Sequence, residues 1–262
     1  MDSPHARLLL LPGLEGSGDL FDPLIEEFAG GLDPTVARYP FSCTSYNDLT
    51  PIVSRLLPGS RPFILVAESF STPLAIEIAG SAQGEIDGLV LCNGFAVSPL
   101  AAWESTLASA SAPWLFRFPL TSLAARTLLV GHNASQGLVD AVRNVIGTLP
   151  PDILCARLNA VLRCDMRAAL ARIRVPVLYL HATRDKLIGD VGLNEMRRVK
   201  PDMTVQHIDG PHLLLQREPK QCAESIARFI AAIASEAATA RRRNDVKPPF
   251  PQQPPTPTPT EN

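Results

Sequence analysis

The sequence lacks the features that mark metal-binding, disulfide-rich, nucleic-acid-binding and membrane proteins. Its five cysteines are scattered and form no C-x-x-C pair, so neither a zinc site nor a disulfide framework is indicated. The net charge of −2 gives no overall attraction to nucleic acid. The apolar run at residues 8–11 is too short to cross a membrane and lacks the basic start of a signal peptide. We therefore expect a cytoplasmic protein with no membrane span and no nucleic-acid partner.

A nucleotide-binding glycine motif is missing as well. The loop at residues 11–18, LPGLEGSG, is rich in glycine but matches neither G-x-x-x-x-G-K-[ST] nor G-x-G-x-x-G. A phosphate cradle is therefore not indicated. The alternative role of such a loop is to turn backbone N–H groups toward a catalytic centre.

Short apolar runs, each typical of a buried strand, alternate with helical patterns along most of the chain. The predicted strands are residues 7–11, 35–39, 63–66, 86–92, 175–180 and 204–208. Helices are predicted between them, among others at residues 49–57, 191–199 and 219–233. This alternation predicts an α/β fold with a mostly parallel sheet and helices on both faces.

The alternation is interrupted between about residues 98 and 172, where only helical patterns appear. We interpret this block as a helical cap inserted over the carboxyl edge of the sheet, where open α/β sheets bind ligands. The predicted domains are a core of residues 1–97 and 173–235, and a cap of residues 98–172. Residues 236–262 are rich in proline and threonine, which predicts a disordered tail, with a P-x-x-P docking segment as the alternative.

The third predicted strand ends at a serine and is followed at once by a helical pattern, which is the setting of a nucleophile elbow. The usual pattern is G-x-S-x-G, but the segment here reads Ala67-Glu68-Ser69-Phe70-Ser71. Small residues replace both glycines, and the turned backbone needs small residues at those two positions. An ordinary cap or turn serine is the alternative interpretation of Ser69.

A serine nucleophile needs a base, and the base needs an acid that orients it. His212 follows the last predicted strand, in a loop from which it can reach a serine on a neighbouring strand. Asp185 lies a few residues beyond the predicted strand at residues 175–180, which comes between Ser69 and His212 in the chain. The competing Asp190 is better explained as a helix cap and Asp209 as a turn residue. Ser69, Asp185 and His212 each follow a strand, and this order is more specific than any one of them.

These features resemble the α/β-hydrolase superfamily, in particular small carboxylesterases with a helical cap. The resemblance covers roughly residues 7–234 and rests on residues 11–14, 68–70, 180–185 and 210–213. It implies an ester hydrolase in which Ser69, His212 and Asp185 are catalytic and the N–H groups of Leu14 and Phe70 form the oxyanion hole. Proline stands where the family's first loop has histidine, but a backbone donor does not depend on that side chain. No metal or organic cofactor is implied.

Two features of the predicted cap indicate what kind of substrate the protein binds. The aromatic residues Trp103, Trp114, Phe116 and Phe118 are predicted to line an apolar acyl pocket, with packing of the cap onto the sheet as the alternative. The cap also has seven arginines, no lysine and four acidic residues. A basic cap suits a substrate carried on an acidic protein. The chain is also similar to biotin-pathway esterases that cleave the methyl ester of pimeloyl-acyl carrier protein.

Two further functions are compatible with the same residues. An acyltransferase or a thioesterase would use an identical serine, histidine and aspartate. A non-catalytic protein of the same fold is favoured by the elbow without glycine and by Pro12, whereas the presence of all three catalytic residue types argues against it.

Overall fold

Six parallel strands form one sheet in the order β2-β1-β3-β4-β5-β6. The computed structural model describes residues 6–28, 31–57, 63–81, 86–99 and 120–245. The strands are β1 (Ala6–Leu11), β2 (Leu32–Val36), β3 (Phe63–Glu68), β4 (Ile86–Cys92), β5 (Val177–Ala182) and β6 (Thr204–Ile208). The chain runs from β1 outward to β2 and then returns to the other side of β1 as β3. The strand order therefore reverses between β1 and β3, and a ligand crevice is expected at the carboxyl ends of these two strands.

The four inner strands, β1, β3, β4 and β5, are mostly buried on both faces because helices cover each side. The helices are α1 (Asp22–Glu27), α2 (Tyr46–Ser54), α3 (Thr72–Ser81), α4 (Gln136–Gly147), α5 (Pro151–Leu162), α6 (Arg167–Arg172), α7 (Gly189–Val199), α8 (Leu214–Arg217) and α9 (Pro219–Asp245). In β1, Leu9 and Leu11 join the apolar cluster that contains side chains of α2, α3, α6 and α7. Leu8 and Leu10 join the opposite cluster with side chains of α1, α8 and α9. The predicted α/β fold with a parallel sheet is confirmed.

Several element boundaries differ from the sequence prediction, and two of the differences have a clear local cause. The second strand was expected at residues 35–39 but occupies Leu32–Val36, because an edge strand tolerates the missing N–H of Pro34. The second helix begins at Tyr46 rather than at residue 49. The Ser45 hydroxyl accepts from the Asp48 backbone N–H while the Asp48 carboxylate accepts from the Ser45 N–H, which caps the helix three residues earlier.

The last helix is longer than predicted, so the proposed start of a disordered tail at residue 236 is wrong. Helix α9 continues to Asp245. Residues 234–239 are exposed but remain helical, because residues 234–245 contain no glycine or proline and four alanines. The loss of the apolar pattern marks the end of burial rather than the end of the helix. The rest of the predicted tail, residues 246–262, lies outside the described residues.

The inserted segment between β4 and β5 is helical in its described part. A helical turn at Ser122–Ala124 leads into a π-helix at Ala125–Val130, followed by α4 and α5. The π-helix and α4 enclose an apolar cluster of their own, which also includes Leu20 and Leu213 from the core. Helix α6 packs under α3 instead, since a Cβ on Gly80 would lie 2.8 Å from the Ala169 carbonyl oxygen. The predicted pocket residues Trp103, Trp114, Phe116 and Phe118 lie outside the described residues.

Among the residues that the structure describes, no single helix is long and apolar enough to cross a membrane. Helices α4 and α5 pass such a test of length and composition only as a pair, and they meet at a bend of 95°.

Candidate active site

Ser69 occupies a sharp turn between β3 and α3. Its φ angle is +48°, in the left-handed region that residues with a Cβ seldom adopt. A short 3₁₀ turn, Ser69–Ser71, follows and passes directly into α3, where Pro73 occupies the first turn. The Thr72 hydroxyl donates to the Ser69 carbonyl oxygen at 2.8 Å and helps to hold this conformation. The turn places Ser69 at the carboxyl edge of the sheet, as a nucleophile elbow requires.

Three predicted site residues come together in one chain of hydrogen bonds. The Ser69 Oγ lies 2.8 Å from the His212 Nε2, and the His212 Nδ1 lies 2.8 Å from the Asp185 Oδ2. The His212 side chain is 5% exposed and the Asp185 side chain 1% exposed, so water competes little for these bonds. With Nδ1–H donating to Asp185, the Nε2 of a neutral imidazole is free to accept the Ser69 hydroxyl proton.

The carboxylate of Asp185 is held on both oxygens. Its Oδ1 accepts hydrogen bonds from the N–H groups of Leu187 at 2.7 Å and Ile188 at 3.2 Å, while Oδ2 faces His212. Burial by itself would raise the pKa of Asp185, but these bonds and the neighbouring imidazole outweigh it, so the pKa lies below its usual value. Asp185 is therefore a fixed anion near neutral pH.

Asn93 links the two loops that carry His212 and Asp185, and sequence reasoning missed it. Its side-chain amide donates to the His212 carbonyl oxygen at 2.6 Å, and its amide oxygen accepts from the Ala182 N–H at 2.8 Å. It is buried and has a φ angle of +46°. An asparagine after a strand is common at turns, so nothing in the sequence distinguishes this one.

The competing acids Asp190 and Asp209 have other partners, and two other histidines lie away from Ser69. Asp190 contacts His181 at 3.0 Å, and Asp209 forms an ion pair with Arg184 at 2.7 Å. His207 lies within β6 and packs against the ring of His181. Across the described part of the chain, no three His, Cys, Asp or Glu side chains are grouped so that they could hold a metal ion.

The glycine-rich loop after β1 lies beside the elbow, because β1 and β3 are neighbours in the sheet. The Ser71 hydroxyl donates to the Pro12 carbonyl oxygen and so ties the two segments together. Ser71 is the small residue that stands where the usual motif has its second glycine. The predicted oxyanion donors, the N–H groups of Leu14 and Phe70, belong to the two segments that this bond joins.

No protein-family model matches the chain. It is 25% identical over 258 residues to the pimeloyl-[acyl-carrier protein] methyl ester esterase of Xanthomonas campestris pv. campestris (strain B100), a match that spans 86% of this chain and 95% of that protein. Among solved structures, the enol-lactonase from Burkholderia xenovorans LB400 aligns with a TM-score of 0.68 at 13% identity, over 87% of this chain and 92% of that one. A hydrolase from Oleispira antarctica aligns with a TM-score of 0.73 at 14% identity, over 88% of this chain and 93% of that one.

The chain has an α/β-hydrolase fold. The predicted fold and the predicted resemblance to esterases of this fold are thereby confirmed, and so is the prediction of an ester hydrolase as the class of enzyme.

Glu68, directly before Ser69, is buried in the hydrolase core. Its Oε2 accepts from the Gln216 side-chain amide at 3.1 Å, while the other carboxyl oxygen and the Gln216 amide oxygen have no protein partner. The Oε2 atoms of Glu15 and Glu68 lie 3.0 and 4.0 Å from the point that a Cβ on Gly13 would occupy. Burial, and then the charge of Glu15, raises the pKa of Glu68 to about 7.

A cavity of about 460 Å³ opens on the side of the site where Asp185 lies. It lies between the cap and the core, and its lining is mostly polar and basic: Arg126, Thr127, Gly131, His132, Asn133, Thr183, Arg184, Asp185, Lys186 and Pro211. No sequence pattern indicated this cavity, because its walls come from three separate segments of the chain, at residues 126–133, 183–186 and 211.

The arginines of the cap have different environments. Arg157 is completely buried, so it cannot contribute to a basic surface. Arg167 pairs with Asp165, and Arg143 with Asp140. Arg163 and Arg172 are exposed. The basic surface predicted for the cap is therefore carried by fewer residues than the sequence count suggested.

Proposed function

We propose that this hydrolase cleaves a carboxylic ester through an acyl-enzyme intermediate. The observation that carries the proposal is the continuous chain of hydrogen bonds from Ser69 through His212 to Asp185. His212 takes the Ser69 proton as the hydroxyl oxygen attacks the ester carbonyl carbon. Asp185 holds the imidazole in the required tautomer and stabilises the imidazolium ion that forms.

The tetrahedral intermediate places a negative charge on the former carbonyl oxygen. We assign its stabilisation to the N–H groups of Leu14 and Phe70, and losing one such donor typically costs about 3–4 kcal/mol of transition-state stabilisation. The intermediate collapses as His212 returns the proton to the leaving alcohol. Water then repeats the sequence on the acyl-enzyme and releases the acid and free Ser69.

Turnover of p-nitrophenyl esters of graded chain length tests the proposal, with wild type compared with Ser69→Ala. We expect the kcat of Ser69→Ala to fall by about 10⁴-fold or more, because the nucleophile is removed while the fold is retained. Ser81→Ala alters an exposed serine at the end of α3 and should retain wild-type turnover. Hydrolysis that persists in Ser69→Ala, or a fluorophosphonate that fails to label Ser69 in wild type, contradicts the proposal.

For the substrate, we propose an acyl ester delivered on an acidic carrier protein. The support is the carrier-linked ester named for the Xanthomonas relative, the exposed Arg163 and Arg172 of the cap, and the basic wall of the cavity beside Asp185. Such a carrier would be encountered in the cytoplasm, which agrees with the location predicted from the sequence. Acyl transfer or thioester cleavage by the same residues is the alternative. Product analysis with an added alcohol acceptor separates transfer from hydrolysis, since only transfer yields a new ester.

A further inference from the structure

Arg157 is a buried cation that connects the cap to the glycine-rich loop after β1. It extends from α5, and its side chain has no exposed surface. Its Nη1 donates to the carbonyl oxygens of Leu14 at 2.8 Å and Glu15 at 2.9 Å. Its Nη2 lies 3.4 and 3.5 Å from the carbonyl oxygens of Pro40 and Cys43 in the loop after β2. Burying a guanidinium is costly unless its donors are occupied. Here the two terminal nitrogens face backbone carbonyls, whereas the buried Nε has no protein partner.

The loop is shaped to receive this guanidinium. Gly16 has a φ angle of +73°, and a Cβ at that position would lie 2.6 Å from the Arg157 Nη1. The ring of Tyr39 lies on the other side, with its centroid 5.9 Å from the guanidinium carbon. A glycine is therefore needed at position 16 both for the backbone conformation and for the space that Arg157 occupies.

Every carbonyl oxygen from Pro12 to Glu15 has a donor. Ser71 donates to the first, the Gly16 N–H donates to the Gly13 oxygen at 3.2 Å, and Arg157 donates to the last two. A trans peptide group is planar, so its N–H points opposite to its carbonyl. The Leu14 N–H belongs to the same peptide group as the Gly13 carbonyl, which accepts from the Gly16 N–H. The Gly16 N–H belongs in turn to the same peptide group as the Glu15 carbonyl, which accepts from Arg157. Arg157 therefore acts on the direction of the Leu14 N–H through the Gly16 N–H.

We propose that Arg157 is a positioning residue for the oxyanion hole, holding the loop so that the Leu14 N–H meets the developing oxyanion. This inference rests on the proposed function, because it assumes that an ester carbonyl is attacked at Ser69. Because Arg157 belongs to the cap and Leu14 to the core, the same contact makes the geometry of the oxyanion hole depend on the seating of the cap.

The test compares Arg157→Lys with Arg143→Lys, a cap arginine whose Nε donates to the Leu120 carbonyl instead. Lysine keeps the charge and most of the apolar stem but cannot bridge two carbonyls with one rigid fork. We expect the kcat of Arg157→Lys to fall about a hundredfold with KM within a few fold, since a misplaced donor affects the transition state more than the bound ester. Affinity for a trifluoromethyl ketone, which forms a tetrahedral adduct, should fall in parallel. Arg143→Lys should change neither.

Chemical rescue separates positioning from simple destabilisation. Arg157→Ala should lose at least as much kcat as Arg157→Lys, and added ethylguanidinium should restore part of it by filling the vacated site. If Arg157→Ala does not fold, the kcat and ketone affinity of Arg157→Lys decide the question. A folded Arg157→Lys with a lowered melting temperature but unchanged kcat and ketone affinity overturns the inference. A wild type that neither cleaves esters nor reacts with a fluorophosphonate overturns the proposed function and, with it, this inference.

Discussion

Ser69 and the residue before it differ sharply in their surroundings. Ser69 faces His212 across a hydrogen bond of 2.8 Å, whereas Glu68 is buried on the opposite side of the strand beside Gln216. The raised pKa of Glu68 means that the folded protein binds a proton there more tightly than the unfolded chain does. The buried carboxyl therefore makes stability depend on pH.

The sign of this dependence gives a prediction for Glu68→Gln. As pH rises from the usual carboxyl value of 4.5 to about 7, the folded state gives up its preferred proton and the free energy of unfolding of wild type falls. The loss is on the order of 3 kcal/mol for a shift of this size. An amide at position 68 carries no charge and can pair with Gln216. Glu68→Gln should therefore be stabilised relative to wild type at about pH 8, but much less at about pH 4.5.

Urea unfolding at the two pH values measures this difference. The control is Glu26→Gln on the exposed side of α1, for which the difference from wild type should be the same at both pH values. A Glu68→Gln difference that does not grow with pH would mean that Glu68 is already ionised in the folded protein at low pH.

At the scale of elements, the elbow shows how a departure from the usual motif can be accommodated. The Ser71 hydroxyl has one proton, which it donates to the Pro12 carbonyl, so the Tyr39 hydroxyl at 2.6 Å must be the donor to Ser71. Burial raises the pKa of Tyr39, which keeps this hydroxyl a donor. A serine in place of glycine thus supplies a link between the end of β1, the loop after β2 and the start of α3.

Ser71→Ala removes both halves of this link and leaves two buried groups, the Tyr39 hydroxyl and the Pro12 carbonyl, without partners. We expect the free energy of unfolding to fall by roughly 2–4 kcal/mol, and kcat to fall because the glycine-rich loop loses one support. Tyr39→Phe removes only the hydrogen bond from Tyr39 to Ser71. It should lower the free energy of unfolding by about 1 kcal/mol and leave kcat nearly unchanged. Urea unfolding and ester turnover of the two variants measure this. Equal effects of the two variants on kcat would show that the Ser71–Pro12 contact does not support the site.

At the scale of the whole molecule, the site forms where the strand order reverses. The elbow follows β3 and the glycine-rich loop follows β1, and these are the neighbouring strands between which the connection changes direction. The inserted helices lie at the same edge, through the contacts of Arg157 with Leu14 and Glu15. A substrate therefore meets both the core and the cap, which makes the surface charge of the cap relevant to a carrier-bound ester.

The carrier hypothesis predicts a selective effect of the exposed cap arginines. Arg163→Gln combined with Arg172→Gln should lower kcat/KM for an acyl ester linked to acyl carrier protein by several fold, because rim charges mainly steer association. Turnover of a short p-nitrophenyl ester should stay unchanged. As a control, Arg55→Gln combined with Arg228→Gln removes the same amount of positive charge from the core. This variant should leave kcat/KM unchanged for both substrates. If the cap variant affects both substrates equally, or neither, the cap does not recognise an acidic carrier.

The sequence by itself determined the order of strands and helices and the residues that meet at the site. Ser69, Asp185 and His212 could be chosen because each follows a strand, and the carboxyl ends of parallel strands lie at one edge of the sheet. These signals are local: apolar periodicity, small residues around a turn and the position of a residue after a strand. The length of α9 was misjudged for the same reason, since the apolar pattern reports burial and not helix formation.

Only the tertiary structure decided which polar side chains are buried and what they contact. Arg157 reads as one more surface arginine of the cap, yet it is buried against carbonyls more than 140 residues away. Asn93 is likewise joined to His212 across 119 residues, and Glu68 to Gln216 across 148. Contacts at such separations depend on how helices and loops from distant parts of the chain are brought together, and no pattern within a short stretch of sequence encodes them.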